Sequence, residues 1–314
     1  MKYKKALVTG GAGFIGSHIA EKLLELGIEV TIIDDLSMGK LENVPKKSQF
    51  IKGDITNFNL LKNVIHDNVD IIFHEAAKVS IRNSIHKFYD DAQINLLGTL
   101  NILRACNNSK VKKIIYASSM AIYDDSKFPT PLNENYRKNP LSPYGVSKLA
   151  SELYGFIIAK RLRIDFISLR YFNTFGLRQT YTPYVGVITI FINRLLQGKP
   201  PIIFGDGKQK RDFIYVKDVV QANIKAMLSN ISSDAFNIGT GISTSVNEIA
   251  ELLCSKINPH LKPIYSKTRP EEPRNSIADI SKAQSLLGFC PKYKLENKID
   301  EVIDYIALQK KNNV

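Results

Sequence analysis

Short apolar, β-branched runs alternate with helix-period segments through the first half of the chain. Residues 5–9 (Lys-Ala-Leu-Val-Thr) read as a buried strand, and residues 15–26 place apolar groups three and four apart up to Gly27, the mark of a helix. Residues 28–33 are the next apolar run, and further strands are predicted at 50–53, 70–73, 113–117 and 165–169. Helical patterns at 59–67, 90–108 and 144–162 lie between them. Strands that are apolar throughout are covered on both faces, and right-handed crossovers then give a doubly wound parallel α/β sheet. After residue 175 the pattern loosens. Loops rich in Pro, Tyr and Gly at 178–186 and 198–210 surround a helix near 187–197, while a helix at 216–230 and a strand at 235–238 read as a return to the sheet. Amphipathic helices at 246–257 and 297–309 follow, with a Pro- and charge-rich loop at 262–276. The expected organisation is a sheet domain over 1–177 with returns near 211–240, and a smaller lobe from 178–210 and 241–314.

The chain has 314 residues, of which 43 are basic and 30 acidic, a formal net charge of +13. That length supports a sizeable core. The surplus lysines are scattered in pairs such as Lys46-Lys47 and Lys112-Lys113, and aromatics do not interleave with them, so a nucleic-acid-reading face is not expected. No apolar run reaches the roughly 18–20 residues that span a bilayer, and Gly10 interrupts the first apolar run too early for a signal-peptide core. The three cysteines, Cys106, Cys254 and Cys290, show no metal spacing and are expected to be buried, reduced hydrophobes of a cytoplasmic protein. No metal is expected.

Three elements carry chemistry. Gly10, Gly13 and Gly16 follow the first strand and open the first helix, with Phe14 and Ile15 between them. A pyrophosphate can approach backbone N–H groups only where no Cβ intervenes, and the helix start adds partial positive charge. Asp34 and Asp35 end the second strand about twenty residues on, where a carboxylate accepts from the adenosine ribose hydroxyls and repels a 2′-phosphate, so NAD is expected over NADP. Asp54, with Ile55 beside it, stands where a carboxylate meets the adenine amino group or caps the following helix. Tyr144 and Lys148 share one helix face, an arrangement in which a fixed cation and the positive nicotinamide ring favour phenolate and make Tyr144 a base for a sugar hydroxyl. Ser119, with Ser118 in reserve, sits at a strand end, where ligands gather in open α/β sheets.

With these elements in hand, the chain resembles the extended short-chain dehydrogenase/reductase family, most closely its UDP-sugar 4-epimerases, over about residues 4–308. Thr9-Gly10-Gly11-Ala12-Gly13-Phe14-Ile15-Gly16 matches the opening fingerprint, His74-Glu75-Ala76-Ala77 the strand-four motif and Asn95-Leu96-Leu97-Gly98-Thr99 the central helix. Ser118-Ser119-Met120 and Tyr144-x-x-x-Lys148 align with the catalytic segments. The resemblance implies a Rossmann sheet, bound NAD, a UDP-sugar substrate, and a homodimer formed through helices 90–108 and 144–162. It places Ala76, Ala77, Asn95 and Phe172 with the cofactor. Ser80, Arg82, Asn173, Val187, Phe204, Arg211, Arg269 and Glu272 fall on the substrate side, with Arg211 and Arg269 on the diphosphate, Phe204 against uracil and Glu272 on the ribose. Ser276 stands where some members carry a pocket-closing Tyr; its small size leaves room for an N-acetyl group. The implied reaction inverts C4 of UDP-glucose/UDP-galactose, and with that room UDP-GlcNAc/UDP-GalNAc, through a 4-keto sugar. A UDP-glucuronate epimerase or decarboxylase, with Arg82 as the cation for C6, stays open, and a non-catalytic NAD-binding protein is the reading from another class. Asp124, Phe175, Leu177 and Glu271-Glu272 depart from the family pattern without touching Ser119, Tyr144 or Lys148.

Overall fold

The computed structural model describes residues 2–182, 186–269 and 273–312. The first half runs β1 (Lys5–Thr9), α1 (Phe14–Glu25), β2 (Glu29–Asp34), β3 (Gln49–Lys52), α2 (Phe58–His66), β4 (Ile71–His74), α3 (Ile81–His86) and α4 (Phe88–Asp91). A π-helical turn (Ala92–Leu97) leads into α5 (Gly98–Ala105), then β5 (Lys113–Ser119), α6 (Pro143–Leu162) and β6 (Asp165–Tyr171). The remainder is β7 (Asn173–Phe175), α7 (Val187–Leu195), β8 (Ile202–Phe204), β9 (Lys210–Arg211), β10 (Phe213–Tyr215) and α8 (Val216–Leu228). It continues through β11 (Ser233–Ile238), β12 (Thr244–Ser245), α9 (Val246–Ile257), β13 (Ile264–Ser266), β14 (Asn275–Ser276), α10 (Ser281–Leu287) and α11 (Leu295–Asn312).

Seven strands form one parallel sheet in the order β11-β6-β5-β4-β1-β2-β3. The apolar runs that predicted these strands are its spine: Leu7, Ile33, Ile72 and Ile114 face one core with α2, α5 and α6, while Val8, Ile32, Phe73 and Ile115 face the other with α1 and α8. The order reverses between β1 and β4, which opens a crevice at the carboxyl ends of those strands. A separate core gathers Phe191, Ile203, Phe213, Ile249, Leu253 and Ile299 from α7, α9, α11 and short strands.

Four expectations need correction. The segment 90–108 is not one helix: the π turn inserts a residue and presents Asn95 inward at 2% exposure. The loop 262–276 contains β13 and β14, each paired to a distant short strand. Asp54 does not cap α2; Asn57 does, accepting from Leu60 N, while Asp54 turns back to Thr56 N. Cys106 and Cys254 are buried, but Cys290 is exposed beyond α10. Among the described residues no helix is long and apolar enough to cross a membrane.

Candidate active site

The strand-order reversal holds a continuous cleft of about 910 Å³. At one end, Gly10, Gly13, Phe14, Ile15 and Gly16 form its floor. A Cβ on Gly16 would lie 2.3 Å from Gly10 O, so only glycine lets α1 pack this close to the loop. No side chain caps the start of α1 and its first turn carries no acid, which leaves backbone N–H groups facing the cleft. Asp34 is buried at the tip of β2; one oxygen accepts from Ala12 N at 3.0 Å and the other from Leu36 N at 2.8 Å. A carboxylate has about four acceptor sites, so each oxygen keeps one for a ribose diol. Burial raises the Asp34 carboxyl, and its two backbone donors oppose that shift. Asp35, Asp54, Ile55, Ala76 and Ala77 line the same end. An uncapped, glycine-floored helix start beside a buried carboxylate with spare acceptor sites fits NAD.

Ser119, Tyr144 and Lys148 converge midway along the cleft. Ser142 caps α6 by accepting from Gly145 N, with Pro143 in the first turn. A Cβ on Gly145 would meet Ala121 O at 2.2 Å, so this glycine allows α6 to lie against the turn that follows Ser119. The Tyr144 backbone N–H donates to Ser84 Oγ on α3, and its phenol and the Ser119 side chain both line the cleft. Lys148 Nζ donates to Ala117 O at 2.8 Å. Asp91, buried on α4, accepts from Ser147 Oγ and Asn95 Nδ2 and so ties α6 to the π turn.

The electrostatics differ from the sequence expectation. The Tyr144 phenol is pushed up to about 12: burial raises it most, the Ser119 hydroxyl opposes, and Asp91 and Glu75 add repulsion to the phenolate. Lys148 is lowered to about 8 by burial, against the support of Glu75 and Asp91. Lys148 therefore does not bring Tyr144 to the phenolate by itself.

At the far end, Asn173, Val187, Phe204, Arg211 and Arg269 line the cleft, with Ser80, Arg82 and Phe172 nearer the middle. The Arg269 guanidinium lies over the Phe204 ring at 3.2 Å from its centroid. Arg211 Nη1 donates to Lys210 O at 2.9 Å and Arg274 O at 3.3 Å, and the next residue, Asp212, is fully buried and accepts from Thr240 N and Oγ1, Gly241 N and Ala278 N. Ser80 spends its hydroxyl as the cap of α3. Two expected wall residues stand elsewhere. Asn95 lies behind the cleft, bonded to Lys78, Asp91 and Ser147. Ser276, 1% exposed, borders a smaller cavity of about 20 Å³ that shares Ile81, Met120, Ala121 and Pro273 with the cleft. Glu272 lies outside the described residues. Sequence reasoning missed Glu75 as a wall residue; the available signal was a carboxylate placed directly after four buried strand residues.

The family model for the NAD dependent epimerase/dehydratase family matches residues 6–239. A putative UDP-glucose 4-epimerase of Methanocaldococcus jannaschii is 42% identical over 98% of each chain. The crystal structure of UDP-glucose 4-epimerase with UDP-glucose from Thermotoga maritima superposes at a TM-score of 0.94, with 37% identity, covering 98% of this chain and 99% of that one. UDP-N-acetylglucosamine 4-epimerase from Methanobrevibacter ruminantium, in complex with UDP-N-acetylmuramic acid, superposes at 0.92, with 37% identity over 98% and 100% of the two chains. With the glycine floor, the Ser119–Tyr144–Lys148 cluster and these relatives together, the chain belongs to the NAD dependent epimerase/dehydratase family.

Proposed function

We propose that the chain is an NAD-dependent UDP-hexose 4-epimerase acting on UDP-glucose/UDP-galactose and also on UDP-GlcNAc/UDP-GalNAc. The observation that carries this reading is one cleft with a dinucleotide cradle at one end, an aromatic and arginine grip at the other, and Ser119, Tyr144 and Lys148 between them. Tyr144 takes the C4 hydroxyl proton, with Ser119, on the same stretch of cleft wall, orienting that hydroxyl. Lys148, anchored on Ala117 O, holds the cofactor ribose and a positive charge near the phenol. NAD held on the Gly10–Gly16 floor and Asp34 would supply a positive charge and a reversible acceptor for hydrogen with its electron pair. As the C4–H and O–H bonds break, C4=O forms; the sugar turns, and return of hydrogen and proton to the other face inverts C4. Arg211 and Arg269 grip the diphosphate in forked geometry, which anchors the nucleotide while the hexose rotates. Residues 178–210 and 241–314 serve as the nucleotide-sugar lobe.

Ser276 does not widen the cleft itself: its buried hydroxyl borders a separate cavity of about 20 Å³, room for one water, so the N-acetyl part of the proposal rests on the small side chain at that position and is decided by turnover. Arg82 on the cleft wall is the observation behind a second reading, a UDP-glucuronate epimerase or decarboxylase. Separate incubations with UDP-glucose, UDP-GlcNAc and UDP-glucuronate, resolved by chromatography, decide between them: turnover of the first two supports the proposal, and turnover of the uronate alone rejects it. Exposed Val146, Leu153, Tyr154 and Ile157 recur on one face of α6, near exposed Leu97. That stripe fits a second copy of the chain. A shift from dimer to monomer on Ile157→Glu in sedimentation checks this.

A further inference from the structure

Glu75 is a buried-side carboxylate on the cleft wall with no part in the steps above. It follows β4 directly, and its backbone N–H donates to Thr9 O at 3.1 Å. A Cβ on Gly10 would lie 2.9 Å from Glu75 C, so this stretch is wedged against the glycine loop and cannot drift. Its Oε1 accepts from Tyr171 Oη at 2.9 Å, across the intervening strand β5. Asn223 on α8 donates one Nδ2 hydrogen to the same Tyr171 Oη at 2.8 Å and the other to Val219 O. A phenol has one proton; with Asn223 donating to it, that proton must go to Glu75. The chain Asn223 to Tyr171 to Glu75 thus has a fixed polarity and spends two buried side chains on placing one carboxylate.

We propose that Glu75 is a positioning residue whose carboxylate, held by Tyr171 and Asn223, acts through space on the Lys148–Tyr144 pair and sets the pH window in which that pair works. The inference rests on the epimerase reading for its kinetic arm only. Glu75 is bonded by Tyr171 of β6 and lines the same cleft as Lys148 and Tyr144 of α6, on which its charge acts together with that of Asp91 of α4, bonded to Ser147 between them. The preceding His74, between Thr9 and Thr99, is pushed down to about 3 by burial and is neutral at working pH. Burial raises the Glu75 carboxyl to about 7, opposed by the Tyr171 hydrogen bond and the Lys148 charge. An ionised Glu75 supports the ammonium of Lys148 and repels the phenolate of Tyr144, so removing its charge moves both titrations to lower pH.

The test is Glu75→Gln, which keeps an acceptor for Tyr171 but no charge. The pH profile of kcat is measured, together with the phenolate absorbance of Tyr144, read as the difference between each protein and its Tyr144→Phe counterpart. Both limbs of the profile and the absorbance transition are expected to move acid by about one pH unit. Tyr171→Phe, which removes the donor and so raises the Glu75 carboxyl further, is expected to move the limb tied to Lys148 the same way by less while leaving the phenolate transition in place, and serves if Glu75→Gln does not fold. A lowered rate with unmoved limbs and an unmoved absorbance transition overturns the proposal. The absorbance arm reads the outcome whether or not the protein epimerises any sugar, so failure of the epimerase reading is seen separately.

Discussion

In the sheet half, strands of four to seven residues pair in register, β4 and β5 buried end to end and the edge strand β3 less so, and the reacting groups sit on strand tips or in the first turns of a helix. Beyond residue 172 and outside the seven-stranded sheet, β7, β8, β9, β10, β12, β13 and β14 have two or three residues each. There, placement falls to buried anchors. Asp212 gathers backbone N–H groups from two loops beside Arg211, and Asp218 accepts from Lys292 N and Tyr293 N to fasten the C-terminal segment. The contrast suits the division of labour proposed for them. Chemistry at one carbon requires groups fixed by rigid elements. Gripping a nucleotide requires several contacts that adapt to its length.

The sharpest way to break this division is Tyr144→Phe. Its expected effect is a fall of about 10²–10⁴-fold in kcat with KM for the UDP-sugar little changed. Steady-state kinetics check it, and a rise in KM instead would show that the sheet half also grips. Next comes the buried Arg170–Glu152 pair, which joins β6 to α6 behind the catalytic helix, with Arg170 Nε donating to Glu152 Oε2 at 3.1 Å. Arg170→Met strands a buried carboxylate and should cost about 3–5 kcal/mol in urea unfolding. Arg211→Ala should raise KM by roughly 10- to 150-fold, the loss of a charged hydrogen bond of about 1.5–3 kcal/mol, and spare kcat. The smallest effect belongs to Arg274→Ala. Its fork onto Asp206 at 2.7 and 2.9 Å is half exposed on the lobe surface, so unfolding should change by less than about 1 kcal/mol.

The same contrast explains what was legible in the sequence. The central strands of the sheet and helices α1 and α2 were readable because periodicity and burial coincide there, and the glycine loop and the Tyr144/Lys148 spacing were readable because each has a local reason; α6 was readable only as a long helix-forming run, since it buries Ser147, Lys148, Ser151 and Glu152 and exposes Val146, Leu153 and Ile157. Strands such as Lys210–Arg211 were not: two residues have no period, and this strand exists only because β12 and β14 pair with it from distant parts of the chain. The break at Asn95 was hidden because a π turn keeps helical composition while shifting the register. The direction of the Tyr144 shift was also hidden. It depends on how completely packing buries the phenol and on Glu75 and Asp91, whose nearness to it follows from topology and not from spacing.

The central claim is that hydrogen leaves C4 and returns to the same carbon without exchange with water. UDP-glucose and UDP-GlcNAc deuterated at C4, incubated with the NAD-loaded protein in ordinary water, read this directly by NMR of the products. Full retention of deuterium at C4 of the galacto-configured product is the expected result. Product that has exchanged its C4 deuterium for solvent hydrogen would contradict the account.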